Sequence, residues 1–177
     1  FVLSDVAYGD VRVKYLLDRQ VPFATYGKAN GDGNFSFVDV DGKRGMHLAI
    51  EHLISKGHER IGMISWPQGF RIGDLRTQGY LEAMEMANLP VRDNWIAHSP
   101  NTLQYAFQAT EQILSRKPRP TAIACANDVM AFGAKRYIES MGLEIGTDIS
   151  LTGYDDTPVA ELIDLTSVAQ PIALIAN

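Results

Sequence analysis

The side chains that could grip a small polar molecule include the acids Asp41, Asp128, Asp155 and Asp156, the amides Asn127 and Gln170, and the guanidinium of Arg76. Carboxylates and carboxamides exchange hydrogen bonds with hydroxyl groups, and a guanidinium forks onto vicinal hydroxyls or onto a carboxylate. Trp66, Phe70 and Tyr26 add flat apolar faces of the kind that cover a pyranose ring. Each residue also has a quieter reading. Asp41 and Asn127-Asp128 stand just before helical patterns and would serve as N-caps, and Asp155-Asp156 precede Pro158, a first-turn proline. Arg76 can pair with Asp74 on its own helix, and an isolated aromatic is more often core or rim. A capping carboxylate keeps a lone pair for a ligand, so the two readings do not exclude one another.

Covalent and metal chemistry find little footing. There is no Gly-x-Ser-x-Gly elbow, no phosphate-cradling Gly-x-x-x-x-Gly-Lys-Ser/Thr and no Gly-x-Gly-x-x-Gly between a strand and a helix. Gly31-Asp32-Gly33 is not followed by a helical pattern and is a weak nucleotide cue. Asp39-Val40-Asp41-Gly42 begins like a calcium loop but lacks the third ligand and the distal glutamate. His47 and His52, with Glu51 beside them, are five places apart and do not stack on one helix face. No nucleophile and base stand paired, so neither an enzyme nor a cofactor or metal site is expected. Cys125 lies in an apolar strand pattern and reads as core; a lone cysteine excludes a disulfide scaffold and points to a reducing compartment.

The chain has 177 residues, 46% hydrophobic and 21% charged, with a net charge of −5, which is room for one domain or two small lobes. No apolar run reaches the roughly 18 residues of a membrane span. The acidic balance argues against nucleic-acid binding by this segment, because phosphate contacts need clustered cations. The densest basic group, Arg116-Lys117-Pro118-Arg119, falls in a turn between a helix and a strand pattern and reads as a solvated connection.

The elements that must position these groups alternate regularly. Strand patterns occupy 2–4, 23–26, 37–40, 61–65, 95–98, 122–126, 149–153 and 167–169. Helical stripes run through Met46, Ala49, Ile50, Leu53 and Ile54, through Leu103, Ala106, Phe107, Thr110, Ile113 and Leu114, and through Met130, Ala134, Tyr137, Ile138 and Met141. The segment 28–36, rich in Gly, Asn and Asp, joins two strands without a helix and reads as a rim. Such alternation predicts parallel strands with right-handed crossovers, a doubly wound α/β fold. Ligands of such sheets bind beyond the carboxyl ends of the strands. The residues found there include Ser4-Asp5, Tyr26, Asp39 to Asp41, Ser65-Trp66, His98-Ser99, Asn127-Asp128, Asp155-Asp156 and Gln170. Their joint occurrence favours a polar ligand site.

His52-Leu53-Ile54-Ser55-Lys56-Gly57-His58-Glu59-Arg60-Ile61 resembles the effector-binding core of the LacI/GalR family of bacterial transcription regulators. Further matches follow in the family's order: Val40-Asp41 with Gly42 to Gly45, Arg76-Thr77-Gln78-Gly79-Tyr80, Pro120-Thr121-Ala122-Ile123, Ala126-Asn127-Asp128-Val129-Met130-Ala131, Gly133-Ala134, Asp148-Ile149-Ser150, Gly153-Tyr154-Asp155-Asp156 and Gln170-Pro171. The resemblance implies a periplasmic-binding-protein-like fold of two Rossmann-like lobes. It assigns 1–57 plus 169–177 to an incomplete N-terminal lobe and 58–168 to the C-terminal lobe, with crossings near 56–58 and 168–170. A helix-turn-helix head, a hinge helix and the start of the first lobe would precede Phe1, and more chain would follow Asn177.

The family's effector-contacting positions fall on Asp41, Arg76, Asn127, Asp155 and Gln170. Where many relatives place a stacking aromatic, this chain has Asn101, which leaves stacking to Trp66, Phe70 or Tyr26. Val129, Phe132 and Arg136 with Leu162 and Ile163 resemble the family's dimer-forming face, with further core burial as the alternative. The implied protein is a cytoplasmic, homodimeric sensor of a small sugar-like effector. Operator DNA would be bound through the absent head, with no membrane contact. A periplasmic sugar-binding protein of a transport system is the alternative, since it shares fold and cleft.

Overall fold

A computed structural model of the protein describes residues 1–4, 6–29 and 34–175. Asp5, the Gly31-Asp32-Gly33 cue and residues 176–177 lie outside the described residues. The order is β1 (Val2–Leu3), α1 (Val11–Asp18), β2 (Ala24–Tyr26), β3 (Ser36–Val38), α2 (Gly42–Ser55), β4 (Ile61–Ser65), α3 (Arg71–Met86), β5 (Ile96–His98), α4 (Leu103–Leu114), β6 (Ala122–Cys125), α5 (Asp128–Ser140), β7 (Ser150–Asp155), α6 (Pro158–Leu162), β8 (Thr166–Ala169) and α7 (Ile172–Ile175). Every strand pattern in the sequence becomes a strand, with ends shifted by a residue or two. Trp95 closes a 3-10 turn, Asp93–Trp95, before β5.

All pairings are parallel and form two sheets, β1-β2-β3 and β5-β4-β6-β7-β8. In the larger sheet the chain leaves β4 toward β5 and leaves β6 toward β7, so the strand order reverses between β4 and β6. Their carboxyl ends open a crevice at that switch point. β4 and β6 are buried along their whole length, as expected of parallel strands covered on both faces. Helices α2 and α3 pack together, as do α4 and α5. On β7, Tyr154 meets Gly45 of α2 while Gly153 meets Asp128 of α5, so successive residues face the two helical layers.

Two hydrophobic cores result. A large one joins Met46, Ile50 and Leu53 of α2 to β4, β6, β7 and helices α3 to α5. A small one comprises Val6, Val13 and Ala29, with Leu3, Leu17, Phe23 and Phe35 packed against it. This moves the expected division of the chain. α2 does not pack with the first sheet; its apolar stripe faces α3 and the larger sheet. The reason is that helical periodicity identifies a face that must be buried without saying which sheet buries it. The chain therefore leaves the smaller unit at 39–41, ahead of α2, and not near 56–58. His58 stays inside the larger unit, its Nδ1 2.9 Å from Thr121 Oγ1 and its Nε2 2.8 Å from Ser150 Oγ. Gly57 takes φ +89, the left-handed turn that ends α2. Ala169 still pairs with Asp155 in β8, and Gln170 is the residue that reaches back to β2.

Candidate functional site

Arg76 sits in the second turn of α3, on the side turned to the carboxyl ends of β6 and β7. Its Nη1 donates to the carbonyl of Ala126 and its Nη2 to Asp155 Oδ1 at 3.2 Å. The guanidinium lies 3.5 Å from the centroid of the Tyr154 ring and 5.6 Å from that of Trp66. Gly73 lets α3 approach this closely, because a Cβ there would come within 2.8 Å of Trp66 Cβ. The residue is only 5% exposed, and its Nε finds no partner among the described residues. Of the two roles open to Arg76, pairing with Asp74 is not the one adopted.

Asp155 ends β7 with φ +106 and is followed by Asp156 at φ +50, a left-handed turn that swings its carboxylate inward. Oδ1 accepts from Arg76 and, at 2.6 Å, from Gln170 Nε2. Gln170 Oε1 in turn accepts from the Tyr26 hydroxyl of β2. Oδ2 of Asp155 carries no hydrogen bond among the described residues. Burial pushes the Asp155 carboxyl above its ordinary range, against the pull of the Arg76 charge. Burial likewise raises the phenols of Tyr26 and Tyr154.

Asn127 takes up its capping role. Its Oδ1 caps α5 by accepting from Met130 N at 2.9 Å, and its Nδ2 donates to Asn101 Oδ1 at 2.7 Å. Asn101 thus occupies the end of β5 as a polar partner of Asn127. Asp41 caps α2 through the amide of Arg44 at 2.8 Å, and its carboxylate is exposed. Its neighbours Val40 and Gly42, not Asp41 itself, line the cavity described below. Phe70 takes the N-cap position of α3, is 57% exposed and lines no part of that cavity. The structure therefore gathers Tyr26, Gln170, Asp155, Arg76 and Trp66, sets Asn127 beside the Ala126 carbonyl, and leaves Asp41 and Phe70 at the rim.

A cavity of about 270 Å³ opens between the two units, walled by Tyr26 and Asp39 on one side and by Arg71, Arg76 and Gln170 on the other. A larger hollow of about 660 Å³ lies among His52, Lys56, Lys135 and Ser150, at the amino ends of the strands and away from the Arg76 cluster. The candidate site is the former, because convergent polar groups and strand carboxyl ends meet there.

Several contacts around the site escape the sequence reading. Tyr154 underlies Arg76. Buried Asp128 ties α5 to β8 by accepting from Thr157 N at 2.7 Å and Ser167 Oγ at 2.6 Å; in the sequence it resembles any acid of a first helical turn. Arg71, ion-paired with Asp39, carries no local signal beyond its place at a helix start. On the candidate dimer face, Val129, Phe132 and Ile163 are half-buried, Arg136 is exposed and Leu162 is 82% exposed.

Residues 50–177 match the family model described as a periplasmic binding protein-like domain. The chain belongs to the periplasmic binding protein-like family. It is 38% identical over 157 residues to the HTH-type transcriptional repressor PurR of Yersinia pestis bv. Antiqua (strain Antiqua), a match covering 86% of this chain and 46% of that protein. A regulatory protein of the LacI family from Chloroflexus aggregans superposes with a TM-score of 0.92 at 43% identity, covering 98% of this chain and 63% of that one. The transcriptional regulator CelR in its cellobiose complex gives 0.90 at 32% identity, covering 98% and 54%. The chain spans about half the length of the curated relatives it matches. Fold and likeness together are those of the core of LacI-family regulators, in keeping with the order of its motifs.

Proposed function

We propose that this periplasmic binding protein-like core senses a small, neutral, polyhydroxylated molecule in the cavity between its two units and passes that occupancy to a DNA-binding head. The observation that carries the reading is the hydrogen-bonded line Tyr26–Gln170–Asp155–Arg76, which runs from β2 to α3 along the cavity. Of this line, Tyr26, Gln170 and Arg76 face the cavity, and Asp155 stands behind them as the acceptor that orients Gln170 and Arg76. A hydroxyl group both accepts and donates and so suits a wall of phenol, amide and guanidinium groups. The charges along the cavity are balanced, Arg76 by Asp155 and Arg71 by Asp39, so an anion is not specially recruited. Tyr26 supplies an apolar face of the cavity wall and Trp66 backs the Arg76 guanidinium; Asp41, Asn127 and Phe70 would reach the guest only if the two units moved about it. The CelR neighbour, solved with cellobiose, supports a sugar as the guest.

A guest touching both units favours one relative arrangement of them, and coupling of about 1–3 kcal/mol changes operator affinity severalfold to a hundredfold. The PurR relative is a repressor, which supports repression of an operator; a cytoplasmic homodimer joined through the face of Val129, Phe132 and Ile163 is the assembly that the family resemblance implies. The same likeness speaks against a transport-system binding protein and against an enzyme.

Thermal-shift and calorimetric titration with a panel of neutral mono- and disaccharides tests the site. At least one sugar should raise Tm. Its affinity should fall by at least about tenfold in Arg76→Lys, which keeps the charge and loses the fork, and in Asp155→Asn. A panel without a binder, or variants that bind undiminished, rejects the reading.

A further inference from the structure

Asp39 and Arg71 belong neither to the Arg76–Asp155 cluster nor to the core. Asp39 follows β3 in the smaller unit; Arg71 opens α3 in the larger one. Their side chains form a two-point ion pair, Nη1 to Oδ1 at 3.4 Å and Nη2 to Oδ2 in closer contact. Asp39 Oδ1 also accepts the amide of Val40 at 3.0 Å, which holds the carboxylate in place. The Arg71 side chain is 12% exposed and that of Asp39 26%, so the pair is better shielded from water than an ordinary surface bridge. Both residues wall the cavity, as do Tyr26 and Gln170, whose hydrogen bond is another side-chain link between the two units.

We propose that the Asp39–Arg71 ion pair is a latch across the mouth of the cavity, holding the smaller unit closed against α3 and setting how often the cleft opens. Tyr26–Gln170 forms a neutral bridge on the floor of the same cavity, and Asp39–Arg71 a charged one. A two-point guanidinium–carboxylate contact restricts direction as well as distance, so it fixes the angle between the units as well as their approach. The chain between β3 and α2 is only Asp39 to Asp41, and Asp39 is itself part of it. The latch therefore sits beside the covalent connection and fixes the angle at which the two units meet. Its breaking would loosen that angle while leaving the Arg76–Asp155 contact intact. Because the pair is ionic and partly exposed, added salt weakens it.

The latch concerns the opening motion and not the identity of the guest, so it is tested on the guest-free chain and stands or falls apart from the sensing role. Amide hydrogen exchange is followed at 24–28, 36–42 and 70–76 in the wild type, in Asp39→Asn, in Arg71→Gln and in the exchanged pair Asp39→Arg with Arg71→Asp. Segment 103–125 in the body of the larger unit serves as the internal reference. Each single variant should raise exchange around the cavity by about fivefold while the reference segment is unchanged, and the exchanged pair should recover most of the protection. Salt at about 0.5 M should bring the wild type toward the single variants and leave those variants unmoved. Unchanged exchange in the single variants, an increase shared equally by the reference segment, or an exchanged pair no better than either single variant would overturn the latch.

Discussion

His58 stands where β6 and β7 begin, its two ring nitrogens within hydrogen-bond distance of Thr121 Oγ1 and Ser150 Oγ. Hydroxyl groups serve either tautomer, so burial alone sets the direction of its titration: the charged ring is disfavoured and the pKa falls below the ordinary 6.5. In the unfolded chain the ring protonates at the higher, ordinary value. Between the folded and unfolded values the unfolded state holds more protons, so stability rises with pH across that window. The contribution is complete above about 6.5 and is lost as pH falls through the lower folded value. Melting temperature should therefore drop between about pH 7 and pH 5, and part of that drop should vanish in His58→Gln. A pH profile identical in the two proteins would show that the ring is not held in its neutral form. At this same scale Asp155 was legible as a polar group at a strand end and Arg76 as a guanidinium within a helical stretch. Their mutual contact was not, because a residue's type does not reveal which of several neighbours satisfies it.

At the scale of the element, α2 and α3 show what a periodic stripe does and does not specify. The stripe of α2 implied its burial, whereas α3 entered the sequence reading only as the helical stretch that carries Arg76. Their close crossing rests on Gly79, where a Cβ would lie 2.1 Å from the Lys43 carbonyl oxygen and 3.1 Å from the His47 amide. The obstacle is backbone, which has no rotamer by which to yield. Gly79→Ala should cost about 1–3 kcal/mol, read as a lower urea midpoint with unchanged m value, and unaltered stability would refute this account of the crossing. The same close crossing holds α2 in the larger unit and puts the chain's passage between units at 39–41. Asn127 and Asp41 were correctly legible as caps, since capping is decided within a single helical turn. α1 (Val11–Asp18) carries only one buried side chain, Val13, and a helix with so narrow a buried face leaves little periodic signal to read.

For the molecule as a whole, the two cores are unequal. The larger spans four helices and a five-stranded sheet; the smaller rests on Val6, Val13 and Ala29 with a few half-buried neighbours. Local stability follows buried apolar contact. Amides of β2 and β3 should therefore exchange at least about tenfold faster than those of β4 and β6. Uniform protection across both sheets would mean that the units open only together. The alternation of short apolar runs with helical stripes by itself determined a parallel α/β fold, the location of every strand and the set of polar residues at strand ends. Those signals are local, with periods of two and 3.6 residues. The tertiary structure alone decided that Arg76 meets Asp155 across 79 positions and that Tyr26 meets Gln170 across 144. It alone also decided that Asp39 meets Arg71 across the cavity mouth. Contacts of that separation depend on which way each crossover turns and which sheet buries each helix, and no window of local sequence holds that information.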